Sequence, residues 1–523
     1  MAASKHFIFL LFSVLVTTVT SHKLLIFSFT GSKSHMISQG RIADTLAEGG
    51  HNVTLLSFEF TIPTDEFPHT KYAKVIRLGS VDPDILASMS SQKAVFLEEG
   101  FKPKSGIAHL WNAYKTYKAF TSTIPAQHEK TLINEKALIE QLRAENFDAI
   151  FVEQLFPFGT ALGQALGIRT HFIVNSCPLQ EHIADTVGVP LATGYVPASL
   201  DSEYSDQMTL WERAENYVLS WILSKTFLDF MDNTTDIFRK HWDPNFGDTI
   251  EYMRSSTPIV FVAVSELMDF PRPIMHNVVY IGGVGMKSSA AGNDSALSEP
   301  FATEMTKGEK GVVFASFGSN VNTADLPDVI RRSIIDGLAS IAGSYHVILK
   351  LEKQDVQGRA HASTKPNIFV TSWAPQSQLL HHPRLKAFFT HAGYNSLVEV
   401  AQSGKPVLLM PFMYDQTRNA LMVQRNGWGK MFDKTTLWTG SKQLEKDLRT
   451  LLEDPKFEHG AKRIQNLLAT KPFSANEIFL RHVKFVLDNN GTLPELQAAA
   501  SRFTFIRQFN LDLAIIFSMR KCM

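Results

Sequence analysis

The stretch that decides the fold is residues 388–416, FFTHAGYNSLVEVAQSGKPVLLMPFMYDQ. A short apolar strand, Lys386-Ala387-Phe388-Phe389, runs into the turn Thr390-His391-Ala392-Gly393. The spacing of Leu397, Val398, Val400 and Ala401 predicts a helix, which Ser403-Gly404 stops. A second apolar strand over 407–410 ends at Pro411. Strand, glycine turn, helix and strand make a βαβ unit, which sets a helix N-terminus at the carboxyl edge of a parallel sheet. The unpaired N–H groups there, across Gly393, Asn395 and Ser396, suit a diphosphate. His391 can donate to a phosphate oxygen, and Glu399, one turn along, can accept from ribose hydroxyls. Asp415 and Gln416 offer an acceptor and an amide to sugar hydroxyls. The pattern suits a nucleotide-sugar.

The same stretch resembles the signature of the UDP-glycosyltransferases at Thr390, His391, Gly393, Ser396, Glu399, Pro406, Pro411, Asp415 and Gln416. Upstream, Trp373-Ala374-Pro375-Gln376 and Leu379-Leu380-His381-His382-Pro383 are similar to the family's segment leading into the donor site. The resemblance implies that Trp373 stacks on uracil and Gln376 bonds the base edge. Read by itself, Trp373 is a packing residue. Around this segment the strand–turn–helix pattern repeats. Residues 311–317 (GVVFASF) read as a strand, and the helix after it carries Val329, Ile330, Ile334, Leu338 and Ile341 on one face. Further strands fall at 346–351 and 368–370. In the turn after the first strand, Ser316, Gly318 and Ser319 present a hydroxyl and N–H groups toward phosphate.

The first half opens the same way. Residues 24–29 (LLIFSF) form a continuous apolar run, as in a strand buried on both faces. A polar turn reaches His35, a helix over 36–48 stops at Gly49-Gly50, and a strand follows over 53–58. GxGxxG is absent, so no dinucleotide cofactor is indicated. The family resemblance implies that His35 is the general base on the acceptor hydroxyl, a task suited to imidazole near neutrality. Such a base works best beside a carboxylate. Glu153, closing the strand 147–152, takes that place where the family's mammalian detoxifying members usually carry Asp. Asp148 lies at the wrong end of that strand. Strands at 258–264 and 278–282 close this half, and the aromatic-rich regions between are where the family lines its acceptor pocket.

The chain has 523 residues, 51 basic and 51 acidic, with no basic stripe, which argues against nucleic acid as a partner. Its two cysteines, Cys177 and Cys522, make no disulfide framework, and no metal ligand set is evident. A short basic start, an apolar core over 7–16 and small residues at 19–21 read as a secretory signal, which directs the chain to the endoplasmic reticulum lumen. Sequons stand at Asn52, Asn233, Asn293 and Asn490, the last three read as glycosylation acceptors. Relatives usually continue into a membrane span. Here residues 511–519 give a short apolar run interrupted by Asp512, against the ~20 residues a span needs.

These readings give an α/β protein of the GT-B type, two Rossmann-like domains facing a cleft. The expected division is a signal (1–21), an acceptor domain (22–286), a linker (287–310), a UDP-sugar domain (311–472) and a C-terminal helix with a truncated or absent anchor (473–523). The resemblance implies inverting transfer of a sugar, glucuronic acid first, from a UDP-sugar to a hydroxyl of a small lipophilic acceptor, without cofactor or metal. Membrane association and oligomers are compatible with it. The alternatives are a UDP-glucose-dependent enzyme and a non-catalytic UDP-sugar-binding partner subunit.

Overall fold

Two all-parallel sheets carry the structure, a computed structural model that describes residues 21–67, 69–101, 106–286, 297–318, 321–508 and 510–513. Residues 1–20 of the expected signal, 287–296 of the expected linker with Asn293, Ser319, and the end of the chain with Cys522 lie outside the described residues.

The first sheet contains β1 (Lys23–Phe29), β2 (Asn52–Phe58), β3 (Lys74–Leu78), β4 (Ala149–Glu153), β5 (Thr170–Asn175), β6 (Val260–Val262) and β7 (Val278–Tyr280). Their spatial order is β3-β2-β1-β4-β5-β6-β7. The second contains β8 (Gly311–Ser316), β9 (Tyr345–Lys350), β10 (Ile368–Thr371), β11 (Leu385–Thr390), β12 (Val407–Leu409) and β13 (Gly429–Met431), in the order β10-β9-β8-β11-β12-β13. In both, strand order reverses beside the first strand, between β1 and β4 and between β8 and β11. The crevice at such a reversal lies outside the carboxyl ends of the strands and receives ligands in open α/β sheets. The central strands are buried over nearly all their length, Lys23 and Lys386 apart, which is why β1, β4, β8 and β11 read as apolar runs rather than alternations.

Six helices matter for the site: α1 (Lys33–Glu48), α2 (Gly106–Asn134), α3 (Leu210–His241), α4 (Tyr394–Ser403), α5 (Gln416–Arg425) and α6 (Ala475–Asp488). The Ser32 side chain caps α1 by accepting from the His35 N–H, so the turn that starts the helix also fixes His35. A capping box at Thr209 and Glu212 starts α3, which packs along α2. Helix α6 lays Phe479, Val483 and Val486 into the apolar core beneath β1, β4 and β5, so the end of the chain returns to the first sheet. Val329, expected on the buried face of its helix, is instead exposed; Ile330, Ile334 and Leu338 carry that face.

Candidate active site at the two sheet reversals

His35 leaves β1 and Glu153 ends β4, adjacent strands on either side of the first reversal. His35 Nδ1 stands 3.3 Å from Glu153 Oε1, and the carboxylate is fully buried. The ring N–H is not aimed along that line, so the contact is a close approach rather than an aligned hydrogen bond, and it becomes an ion pair once the ring is protonated. Glu153 Oε2 accepts from the Leu155 N–H at 3.1 Å, which steadies the carboxylate. Burial works against a proton on His35. Glu153, and Asp415 from the other half, outweigh it and lift the imidazole above its usual 6.5. Phe29 lies 5.2 Å from the His35 ring and stacks on Phe156 at 3.8 Å, giving an aromatic wall beside the base. Asp148 sits at the opposite end of β4, bonded to the Lys23 N–H at 2.7 Å, far from this chemistry.

The second reversal is built differently. Gly393 caps α4 without a side-chain bond to the first-turn N–H groups. His391, nearly buried, lies between two glycines. A Cβ on Gly393 would meet its Nε2 at 2.4 Å, and one on Gly318 would meet its Cε1 at 2.6 Å. That close approach is what the glycines permit, and Gly318 also takes a φ of +79°. Burial, helped by Lys350, lowers the His391 pKa to about 4, so the ring is neutral at physiological pH. Lys350 Nζ donates to the Gly318 carbonyl at 2.9 Å. Ser316 is buried, with its Oγ 3.5 Å from the Gly318 N–H. Ala392 holds a left-handed φ of +67°, and Asn419 Nδ2 donates to its carbonyl at 3.1 Å.

Further along, Gln376 Nε2 donates to Glu399 Oε2 at 2.8 Å and to Ser396 Oγ at 3.2 Å, tying three of the expected donor-site residues together. Trp373 corrects the packing reading: it is 66% exposed just beyond β10, with Phe301 against its edge. Asp415 is held by Asn419 Nδ2 at 2.8 Å, and burial raises its pKa against the pull of Asn419 and His35. The side-chain Oε1 of Gln416 accepts from the Phe412 and Met413 N–H groups at 2.9 and 3.2 Å, so it shapes its own loop.

The halves meet at the site. Asn395 Nδ2 donates to the Ser34 carbonyl at 3.3 Å, the Asp201 N–H donates to the Tyr414 carbonyl at 2.8 Å, and Arg41 Nη2 stands 3.6 Å from Glu399 Oε1. A buried pair, Arg418 Nη1 and Asp269 Oδ1 at 2.6 Å, binds α5 to the first half. Sequence reasoning missed Arg41, Lys350, Asn419 and Arg418. Only Asn419 carried a local signal, four residues after Asp415 on a helix. Two of the described sequons lie away from the cleft: Asn233 is exposed on α3, and Asn490 follows α6 beside Gly491, whose carbonyl accepts from Thr170 where β5 begins.

Two Rossmann-like sheets with their reversals turned to one cleft make the GT-B fold. Solved structures agree. Phytolacca americana UGT2, complexed with UDP-2fluoro-glucose and pterostilbene, is similar with a TM-score of 0.57 at 16% identity, over 90% of this chain and 100% of that one. The glycosyltransferase VinC in complex with DTDP also gives 0.57 at 16% identity, over 89% and 100%. The family model described as "UDP-glucoronosyl and UDP-glucosyl transferase" matches residues 22–522, and this chain belongs to that family. Putative UDP-glucuronosyltransferase ugt-48 of Caenorhabditis elegans is 35% identical over 97% of this chain and 93% of its own length. UDP-glucuronosyltransferase 1-2 of Rattus norvegicus is 26% identical over 94% and 87%.

Proposed function

We propose that this glycosyltransferase moves a sugar, glucuronic acid first, from a UDP-sugar to a hydroxyl of a small lipophilic acceptor, inverting the anomeric carbon. The observation that carries the reading is His35 Nδ1 3.3 Å from the buried Glu153 carboxylate, with the negative charge of Asp415 in the other half adding to the ring's proton affinity. With Nδ1 turned to Glu153, Nε2 takes the acceptor proton as the hydroxyl oxygen attacks the anomeric carbon. The bond to the UDP oxygen breaks in the same displacement. Negative charge gathers on the diphosphate, where the uncapped N-terminus of α4 and the neutral His391 ring supply donors. Glu399 and Gln376 hold the nucleoside, Trp373 stacks on the base, and Asp415 orients the sugar. Glucuronate as the sugar is supported by the names of the relatives, and glucose is the alternative in the family's own description.

The test is UDP release by the purified chain with UDP-glucuronate or UDP-glucose across phenols and steroid-like alcohols. Acceptor-dependent release with UDP-glucuronate is expected. Release with UDP-glucose alone replaces the sugar, and UDP binding without release with any acceptor contradicts the transfer reading.

A further inference from the structure

Two polar contacts tie α1 to α4 across the cleft. Ser34 accepts from Asn395, and Arg41 pairs with Glu399. Along α1 these contacts bracket His35, and on α4 their partners sit four residues apart, about one turn. The root of Arg41 is fixed. Gly285, at a φ of +68°, packs so closely that an added Cβ would stand 2.6 Å from the Arg41 Cβ. The Gly285 N–H is itself held by Asn476 Oδ1 of α6 at 2.8 Å. From this anchored point the guanidinium reaches into the other half and meets a carboxylate that is only 17% exposed.

We infer that Arg41 is a positioning residue that acts through Glu399, setting α1 and His35 in register with the bound donor. The inference rests on reading Glu399 as the carboxylate that accepts from the ribose. A carboxylate offers about four lone-pair directions. Gln376 takes one on Oε2 and Arg41 faces Oε1, which leaves each oxygen an acceptor direction for a ribose hydroxyl. Burial lowers the Arg41 pKa and Glu399 works against that shift, and an arginine starts so far above neutrality that the guanidinium is charged at neutral pH. Because both groups are largely shielded from solvent, salt screens the pair less than it screens a surface pair. A donor that engages Glu399 is thereby held at a fixed distance from the helix whose first turn carries the base. A displacement of about 1 Å at a reacting pair costs on the order of 100-fold in rate, so a tie of this kind shows in turnover before it shows in affinity.

The experiment uses the full chain, with UDP itself as the binding probe and UDP release as the rate. It compares wild type, Arg41→Gln, Arg41→Lys, Glu399→Gln and the Arg41→Gln/Glu399→Gln double variant, with melting temperatures recorded for each. The expected result is a kcat for Arg41→Gln lower by about tenfold, with the Kd for UDP changed by less than about threefold. Arg41→Lys recovers most of the rate, and Arg41→Gln costs nothing further once Glu399→Gln is present. A kcat for Arg41→Gln within about twofold of wild type overturns the inference, as do losses that multiply in the double variant or no recovery with lysine. If Glu399→Gln leaves the Kd for UDP unchanged, the ribose reading fails and the inference falls with it. If Glu399→Gln weakens UDP but the two losses multiply, the inference alone fails.

Discussion

His35, in the first turn of α1 after β1, and His391, directly after β11, each stand beside a sheet reversal, yet they are prepared for opposite work. Both are shielded from solvent, which disfavours a charged ring. At His35 that penalty is overcome by Glu153 and Asp415, so the ring gains proton affinity. At His391 no carboxylate among the described residues answers it and Lys350 adds to it, so the ring stays neutral down to about pH 4. The comparison teaches that the repeated architecture supplies only the position. Neighbouring charge decides whether a histidine there accepts a proton or acts as a fixed donor.

The largest expected break comes at the first histidine. His35→Ala should lower acceptor-dependent UDP release by roughly 100- to 10,000-fold while the Kd for UDP, read by calorimetry, stays near wild type. Next is Glu153→Gln, which should lower the plateau rate on the order of 100-fold because the imidazolium formed during transfer loses its counter-charge. Its second effect follows from sign. Glu153 raises the His35 pKa and burial lowers it, so removing the carboxylate moves the acidic limb of kcat/KM to lower pH. A limb that stays in place, or moves up, breaks the assignment.

A smaller effect belongs to the second histidine. His391→Ala should weaken UDP by roughly 10- to 100-fold, since a hydrogen bond to a charged group contributes about 1.5–3 kcal/mol. Since His391 is neutral across that range, the ratio of variant to wild-type Kd should hold constant from about pH 5.5 to about pH 8. The smallest is Trp373→Ala. Loss of a stacking face on an exposed side chain should cost about 1 kcal/mol, roughly fivefold in Kd for UDP, and Trp373→Phe should restore part of it.

Much of this was legible because the central strands of a doubly covered parallel sheet are continuous apolar runs, and glycine or proline ends them. Residues 388–416 therefore yielded β11, α4 and β12 in order, and LLIFSF yielded β1. Edge strands were harder. β3 is KVIRL with only Leu78 buried, and β13 is three residues long, so neither carries a pattern. The site was legible where chemistry is local in sequence, as in the helix N-terminus at Gly393. It was not legible where partners come from afar. Nothing near His35 announces the influence of the Asp415 charge, and nothing near Glu399 announces Arg41. Trp373 misled by composition, since a large indole usually means packing, and here the chain turns it outward beyond β10. Gln416 shows the reverse case, a polar side chain whose oxygen closes its own turn.

The most direct measurement is a pH titration of the two rings by NMR on histidine-15N-labelled protein, with His35→Ala and His391→Ala to assign the signals. His35 should titrate with a midpoint above 6.5, and His391 should show no change until the pH approaches 4. Midpoints in the reverse order, or both rings titrating together near 6.5, would contradict the division of labour between the two reversals.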